Sequence, residues 1–261
     1  QLIWKRDLGD MTTRFGWGEG ASPAVYGDAL AINWDHEGAS AVYVLDAASG
    51  ETRWQAQRDE ETSWGTPLIA TYRDKVQLIL NATRRVTSYD LASGKILWEC
   101  GGQTAVPVPS PVLLDDMVIC MTGYRRAAAY AIPLNASGDI TDTETIRWQH
   151  GRDTPYVPSP LLYGQRLYFT KGNRAVLSCL DAKTGKPLME GVRLPDMHEL
   201  YASPLGAAGR IYFVGRDGTT VVVKNQTKLE VLAVNQLNDP MDASPAAVGR
   251  ELFLRSKKRL Y

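Results

Sequence analysis

One phrase recurs through this chain and limits what it can fold into. A small residue and a proline open a short apolar run, a Gly-Asp-type turn closes it, and a second apolar run follows. The first copy is Ala21-Ser22-Pro23-Ala24-Val25-Tyr26-Gly27-Asp28-Ala29-Leu30-Ala31-Ile32. Five more copies turn on Pro67, Pro111, Pro160, Pro204 and Pro245, at spacings of 44, 44, 49, 44 and 41 residues. A fixed period of this size marks a repeat architecture.

Each unit reads as four short strands. The second strands, such as Val118-Ile119-Cys120-Met121 and Ile211-Tyr212-Phe213-Val214, are continuous apolar runs. Strands covered on both faces have that pattern. A polar loop leads to a third strand, and a turn with Asp first and Gly four residues on follows it: Asp46 to Gly50, Asp90 to Gly94, Asp181 to Gly185. There Asp can bond its own backbone and Gly supplies positive φ. The fourth strand carries Trp54, Trp98 or Trp148. Four antiparallel strands about every 44 residues describe a β-propeller blade, so the fold class expected is all-β. Residues 135–142 read as a loop insertion.

Residues 1–261 are expected to form a single propeller domain, with blades at about 17–54, 64–99, 106–148, 156–190, 201–234, and 241–261 plus 1–8. The last of these is a split blade, because the chain opens on a fourth strand, Leu2-Ile3-Trp4-Lys5, and stops on a third, Lys258-Arg259-Leu260-Tyr261. Closure of six blades would leave no free sheet edge, and an open arc of a larger parent is the alternative. With no initiator Met, the chain reads as a fragment or processed product.

Composition narrows the function. Lys and Arg number 29, and so do Asp and Glu. Zero net charge argues against a general nucleic-acid binder and against a polybasic membrane anchor. No apolar run approaches the roughly 20 residues of a membrane helix. Cys100, Cys120 and Cys179 form no CxxC and no adjacent pair, and are expected to be buried apolar fillers.

The phrases Leu45-Asp46-Ala47-Ala48-Ser49-Gly50-Glu51-Thr52-Arg53-Trp54 and Tyr89-Asp90-Leu91-Ala92-Ser93-Gly94-Lys95-Ile96-Leu97-Trp98 resemble the tryptophan-docking repeat of the quinoprotein (PQQ) dehydrogenase-like superfamily. Leu180-Asp181-Ala182-Lys183-Thr184-Gly185-Lys186 is a third copy, with Met189 where Trp is usual. The resemblance is to bacterial PQQ-binding-like, BamB-like repeat proteins, and it implies an eight-bladed parent, an extracytoplasmic (periplasmic or secreted) location and a structural role for the docking Trp. For the true quinoprotein enzymes it implies an adjacent Cys-Cys ring, a calcium held by acidic and amide side chains, and a catalytic Asp. This chain has no Cys-Cys pair, and no cluster maps onto the other two.

The loops that lead into the first strands and those between second and third strands should share one face. The lead-in loops bring Arg14, Trp17, Glu19, Trp64, Tyr156, Tyr201 and Asp242; the second set brings Asp35-His36-Glu37, Arg84-Arg85, Arg125-Arg126, Arg174 and Arg216. The candidate binding residues are Arg14, Glu19, His36, Trp64, Arg85, Arg126, Tyr156, Arg174, Tyr201, Arg216 and Asp242. Arg suits carboxylate or phosphate, and aromatic rings suit stacking. Glu19, Glu60, Glu61, Asp153, Glu199 and Asp242 could neutralise the bases pairwise. The lone His36-Glu37 step lacks metal-ligand spacing, and no nucleophile accompanies it.

The expectation is a monomeric, non-catalytic scaffold or binding module for a protein partner or a small anionic or sugar-like ligand, with no bound cofactor. The alternative is a quinoprotein oxidoreductase, with PQQ and calcium over a Trp such as Trp64.

Overall fold

Each copy of the Ser-Pro phrase becomes the start of a sheet. The structure, a computed structural model, describes residues 2–261. It divides into two units, Gln1–Gln149 and His150–Tyr261. In the first unit, sheet one runs Ala24–Tyr26, Ala29–Trp34, Ala41–Asp46, Thr52–Gln57. Sheet two runs Leu68–Tyr72, Lys75–Asn81, Arg85–Asp90, Ile96–Gly101. Sheet three runs Val112–Leu114, Met117–Thr122, Ala128–Pro133, Trp148–His150. In the second unit, sheet four runs Leu161–Tyr163, Arg166–Thr170, Val176–Asp181, Pro187–Arg193. Sheet five runs Leu205–Ala207, Arg210–Val214, Thr219–Lys224, Val231–Gln236, and sheet six holds Ala246–Val248 and Glu251–Phe253. These strands follow one another in sheet order and pair antiparallel. The one helical piece among the described residues is the three-residue 3-10 turn Arg14–Gly16, and no helix is long and apolar enough to cross a membrane.

The apolar second strands are buried as their composition predicts. Every residue of Met117–Thr122 is buried. In the first unit one core gathers around Val42, Leu78 and Tyr89 and another around Ile79, Trp98, Cys120 and Ile132. In the second unit the larger core gathers around Tyr168, Leu177 and Phe213, with a small one at Ala202, Val214 and Met241. All three cysteines are buried free thiols, and burial pushes the Cys100 thiol up to about 11.

The small residue of the Ser-Pro phrase has a physical job. Ser22 N donates to Thr66 Oγ1 at 3.3 Å, and Thr66 N to Ser110 Oγ at 3.2 Å. In the second unit Ser159 N donates to Ser203 Oγ and Ser203 N to Ser244 Oγ, both at 2.9 Å. Within each unit the hydroxyl of a later copy thus accepts from the backbone of the copy before it. Proline follows at the strand start, where a missing donor does little harm.

The docking tryptophans link neighbouring sheets in a second way. Trp4 Nε1 donates to Ala47 O at 3.0 Å and Trp54 Nε1 to Leu91 O at 2.7 Å, each on the Asp-to-Gly turn of the following repeat. Those turns close as read: Gly50 N reaches Asp46 O and Gly94 N reaches Asp90 O. Gly50 and Gly94 have φ of 75° and 70°, and a Cβ on either would strike the indole ring above it. Glycine is required there both by backbone conformation and by the close approach of the ring. The next repeat has no such turn. Trp98 instead donates to Gln77 Oε1 at 3.1 Å, and Gln77 Nε2 donates on to Leu134 O at 2.7 Å. In the second unit, where Met189 replaces Trp, Tyr168 Oη donates to Gln226 O at 3.0 Å.

Three expectations need correction. The segment 135–142 is more than a loop: Gly138–Asp139 pairs in parallel with Trp98 and Glu99 and makes sheet two five-stranded. Its one branched apolar residue, Ile140, is buried against the Trp98 core and pins the segment down. Leu2-Ile3-Trp4-Lys5 forms no strand; Leu2 and Ile3 are exposed, and only Trp4 is anchored. Lys258–Tyr261 makes a single bridge, Leu260 to Arg255, with two backbone bonds between Leu254 and Tyr261.

Candidate functional site

Residues 12–18, ahead of the first strand, form a strained loop held from several directions. Phe15 has φ of 57°, a left-handed conformation that a bulky residue rarely adopts. Gly16 and Gly18 are also left-handed. Such strain persists only where the surroundings over-determine it. Here Arg14 N donates to Thr62 Oγ1, Gly18 N to Thr13 Oγ1, and Thr12 N to His36 Nδ1. Thr62 Oγ1 in turn donates to Glu37 Oε1 at 2.7 Å, and Arg14 pairs with Glu61 at 2.6 Å. The loop thereby presents an aromatic ladder. Phe15 and Trp17 are 5.0 Å apart, and Trp17 and Trp64 are 5.9 Å apart. Phe15 is 64% exposed and Trp17 53%. Trp64 is fixed by donation from Nε1 to Gly18 O and from its backbone to Pro107 O.

Behind this loop lies a buried ionic cluster. Asp35 and Arg58 are paired at 2.7 Å with side chains 0% and 2% exposed. Ser63 Oγ donates to Asp35, and Arg58 Nη1 donates to Tyr89 Oη at 2.8 Å. Burial works against the charge on Arg58, but Asp35, Tyr89 and Glu60 together more than offset it and hold the guanidinium protonated. In the sequence Asp35 stands out only beside His36, and nothing singles out Arg58. In Arg58-Asp59-Glu60-Glu61 the sequence offers only a charge run, which by itself reads as a solvated surface. The pairing of Ala41 with Gln57 in sheet one turns Arg58 inward.

Glu60 is also buried, and accepts from the backbone N–H of Arg84 and of Arg85 at 2.8 and 3.1 Å. It borders a cavity of about 230 Å³ shared with Arg58, Arg85, Tyr89 and Glu99. Desolvation raises its carboxyl from 4.5 to about 7, against the two backbone bonds and Arg58. A raised carboxyl stabilises the fold fully below pH 4.5, and that contribution disappears as pH rises through 7. The shift corresponds to about 3 kcal/mol. Asp46, Asp90 and Asp181 move the opposite way, through hydrogen bonds from Arg53, Ser93 and Thr184, and act only at more acid pH. Thermal melts at pH 5 and pH 8 should therefore show a stability loss that Glu60→Gln flattens. Equal slopes in both proteins would refute the assignment.

The basic loops are largely neutralised. Arg84 pairs with Asp59 and Arg85 with Glu99. Arg125 lies over the Tyr124 ring, and neither it nor Arg126 has an ion pair among the described residues. The Arg126 carbonyl accepts from Thr104 Oγ1. His36 is buried, its Nδ1 spent on Thr12. In the second unit, Arg216 stacks 3.9 Å above Tyr201 and pairs with Asp242 and Glu199 at 2.7 and 3.2 Å. Arg174 is exposed and bridges Glu199 through backbone only. Tyr156, half-buried, donates its N–H to Gly172 O. Among the first-unit candidates, Glu19 and Trp64 line one small cavity and Arg85 lines the Glu60 cavity.

The sequence profile of the outer membrane protein assembly factor BamB family matches residues 1–132 and 38–261. The chain belongs to the BamB family. No curated protein sequence matches it. Among solved structures, a europium-containing methanol dehydrogenase is similar over 90% of this chain and 53% of its own, with a TM-score of 0.63 at 13% identity. The quinohemoprotein alcohol dehydrogenase of Comamonas testosteroni is similar over 86% and 43%, with a TM-score of 0.59 at 16% identity. The computationally designed Ika8 protein is similar over 91% and 68%, with a TM-score of 0.63 at 13% identity. The chain spans about half the length of the two dehydrogenases. These likenesses show that the BamB-family chain has a β-propeller fold.

Proposed function

We propose that this chain is a non-catalytic propeller module that docks a protein partner outside the cytoplasm, in the assembly of outer membrane proteins. The observation that carries this reading is the Phe15–Trp17–Trp64 ladder, held out to solvent by a loop whose strain the surrounding bonds fix in place. Exposed, rigid aromatic rings are the side chains that most often anchor protein interfaces. The ionisable groups nearby are engaged in holding loops: His36 with Thr12, Glu37 with Thr62, Asp35 with Arg58. Among the described residues no three His, Cys, Asp or Glu side chains gather as a metal site, and the three thiols are buried and unpaired.

A photo-crosslinking residue at position 17, in the chain expressed in a bacterial envelope, should give one discrete protein adduct. Phe15→Ala should reduce that adduct at least tenfold while leaving the melting temperature within a few degrees. Adducts that persist unchanged would remove the ladder from the interface. Saturable quenching of tryptophan fluorescence by PQQ with calcium, lost in Trp64→Ala, would replace the scaffold reading with the quinoprotein one.

A further inference from the structure

A cavity of about 340 Å³ opens in the first unit between two turns. One is residues 72–75, which join the first two strands of sheet two. The other is residues 134–137, which follow the third strand of sheet three. No residue of the aromatic ladder lines it, and its volume is that of a small-ligand site. The second wall lacks a group that other repeats carry. Asp46, Asp90 and Asp181 pair with the first residues of their second strands or next to them, at Ala29, Gln77 and Arg166. Each turns its carboxylate onto the residues that follow. Asp46 Oδ1 accepts from the N–H of Ala48 and of Ser49, both at 3.0 Å. Asp90 Oδ1 accepts from the N–H and hydroxyl of Ser93, and Asp181 Oδ1 from those of Thr184. In the fifth repeat Lys224 takes that place and pairs with Glu230. In the third repeat Pro133 takes it, opposite Met117, and brings no carboxylate. The side chains of Asn135 and Ser137 and the N–H of Asn135 meet no protein partner among the described residues.

The facing wall is cationic. Arg73 and Lys75 have no ion pair among the described residues, and Asp74 is the one acid in the lining. Asp90 feels Lys75 too, but its carboxylate is held first by Ser93. Arg73 is also out of place as a turn residue. Its φ of 53° is left-handed, at the position that the other hairpins give to Gly27, Asp115, Gly164, Ala208 and Gly249. Arg73 is the only long side chain in that series. A Cβ is strained there, and the turn itself gains nothing from a guanidinium, which points to a use outside the turn. Between the walls, Gln77 is spent on Ser88, Trp98 and Leu134, so it offers no acceptor to the cations. Leu97 and Leu134 supply apolar surface.

We infer that this cavity binds a small carboxylic acid with an apolar body, whose carboxylate supplies what the turn of the third repeat lacks. Arg73 and Lys75 pair with the carboxylate, Ser137 donates to it, and the apolar body lies along Leu97 and Leu134. Arginine suits a carboxylate because its fork can donate two parallel bonds. One surplus cation matches a single negative charge and not a phosphate dianion. The inference stands apart from the docking reading, which uses no residue of this cavity.

The test titrates the full, ¹⁵N-labelled chain with N-acetyl-leucine and with N-acetyl-leucinamide, which lacks the carboxylate. The acid should move the amide resonances of Leu134, Asn135 and Ser137 saturably, with weaker affinity as salt rises. The amide should bind at least tenfold more weakly. Arg73→Gly installs the residue that Gly27 and Gly164 hold in their turns, so its melting temperature should stay the same or rise while affinity for the acid falls at least tenfold. Lys75→Met, at an exposed position, should also weaken the acid and leave the amide unaffected. Equal binding of acid and amide, undiminished binding in Arg73→Gly and Lys75→Met, shifts confined to residues outside 134–137, or displacement of the acid by an equal concentration of inorganic phosphate would each overturn the assignment.

Discussion

Arg58→Met will cost the fold about 3–5 kcal/mol, read as a fall in the urea midpoint. The size follows from what is left behind. Asp35 is fully buried and, among the described residues, Arg58 is its only cationic partner, so the variant strands a carboxylate with one hydrogen bond, from Ser63. Tyr89 also loses the donor at its hydroxyl. The pair itself need not stabilise the fold strongly, because desolvating both charges offsets much of their attraction. Adding Asp35→Leu to Arg58→Met should therefore recover most of the loss, even though it removes a second native group. Arg84→Met, on the exposed pair with Asp59, should change stability by less than about 1 kcal/mol. A double variant no better than Arg58→Met would show that the cluster acts through its hydrogen bonds and shape, not through an unpaired charge.

Trp98→Ala will cost a comparable amount, about 3–5 kcal/mol. Trp98 is completely buried in the core with Ile79, Cys120, Ile132 and Ile140. Its removal opens a cavity there and breaks the relay through Gln77 to Leu134. Trp98→Phe keeps most of the ring volume and should lose less than half as much. The same change at Trp4, which is half-buried and sits on the surface of one turn, should have the smallest effect of the docking series. Denaturant melts of Trp4→Ala, Trp54→Ala and Trp98→Ala should rank in that order. A flat series would mean that depth of burial does not set the contribution of each ring.

The parts of the fold that repeat were readable because each is a local device. Asp and Gly four residues apart make their turn without help from the rest of the chain, and a continuous apolar strand announces that both faces will be covered. The departures came where one residue changes a segment's role. Ile140 pulls an otherwise polar insertion into the sheet. Gln77 stands in where the third repeat lacks the turn that Trp98 would dock on. The candidate site was harder to read. The sequence puts Trp17, Glu19 and Trp64 on lead-in loops of one face; that Trp17 meets Trp64 and that Glu19 and Trp64 share a cavity is seen only in the structure. Yet the arginines that suggested an anionic ligand meet acids from neighbouring loops, and only Arg125 and Arg126 of that first-unit set keep their charge unpaired among the described residues.

Sequence by itself determined the β-propeller class, the order of strands and the position of each Ser-Pro link, because period and turn chemistry are properties of short stretches. Tertiary structure alone decided which charges are buried and which acceptors are left unmet. Arg58 and Asp59 are adjacent in the chain, but one lies in the core against Asp35 and the other in solvent. That difference comes from strand register and from loops more than twenty residues away, and no local pattern encodes it.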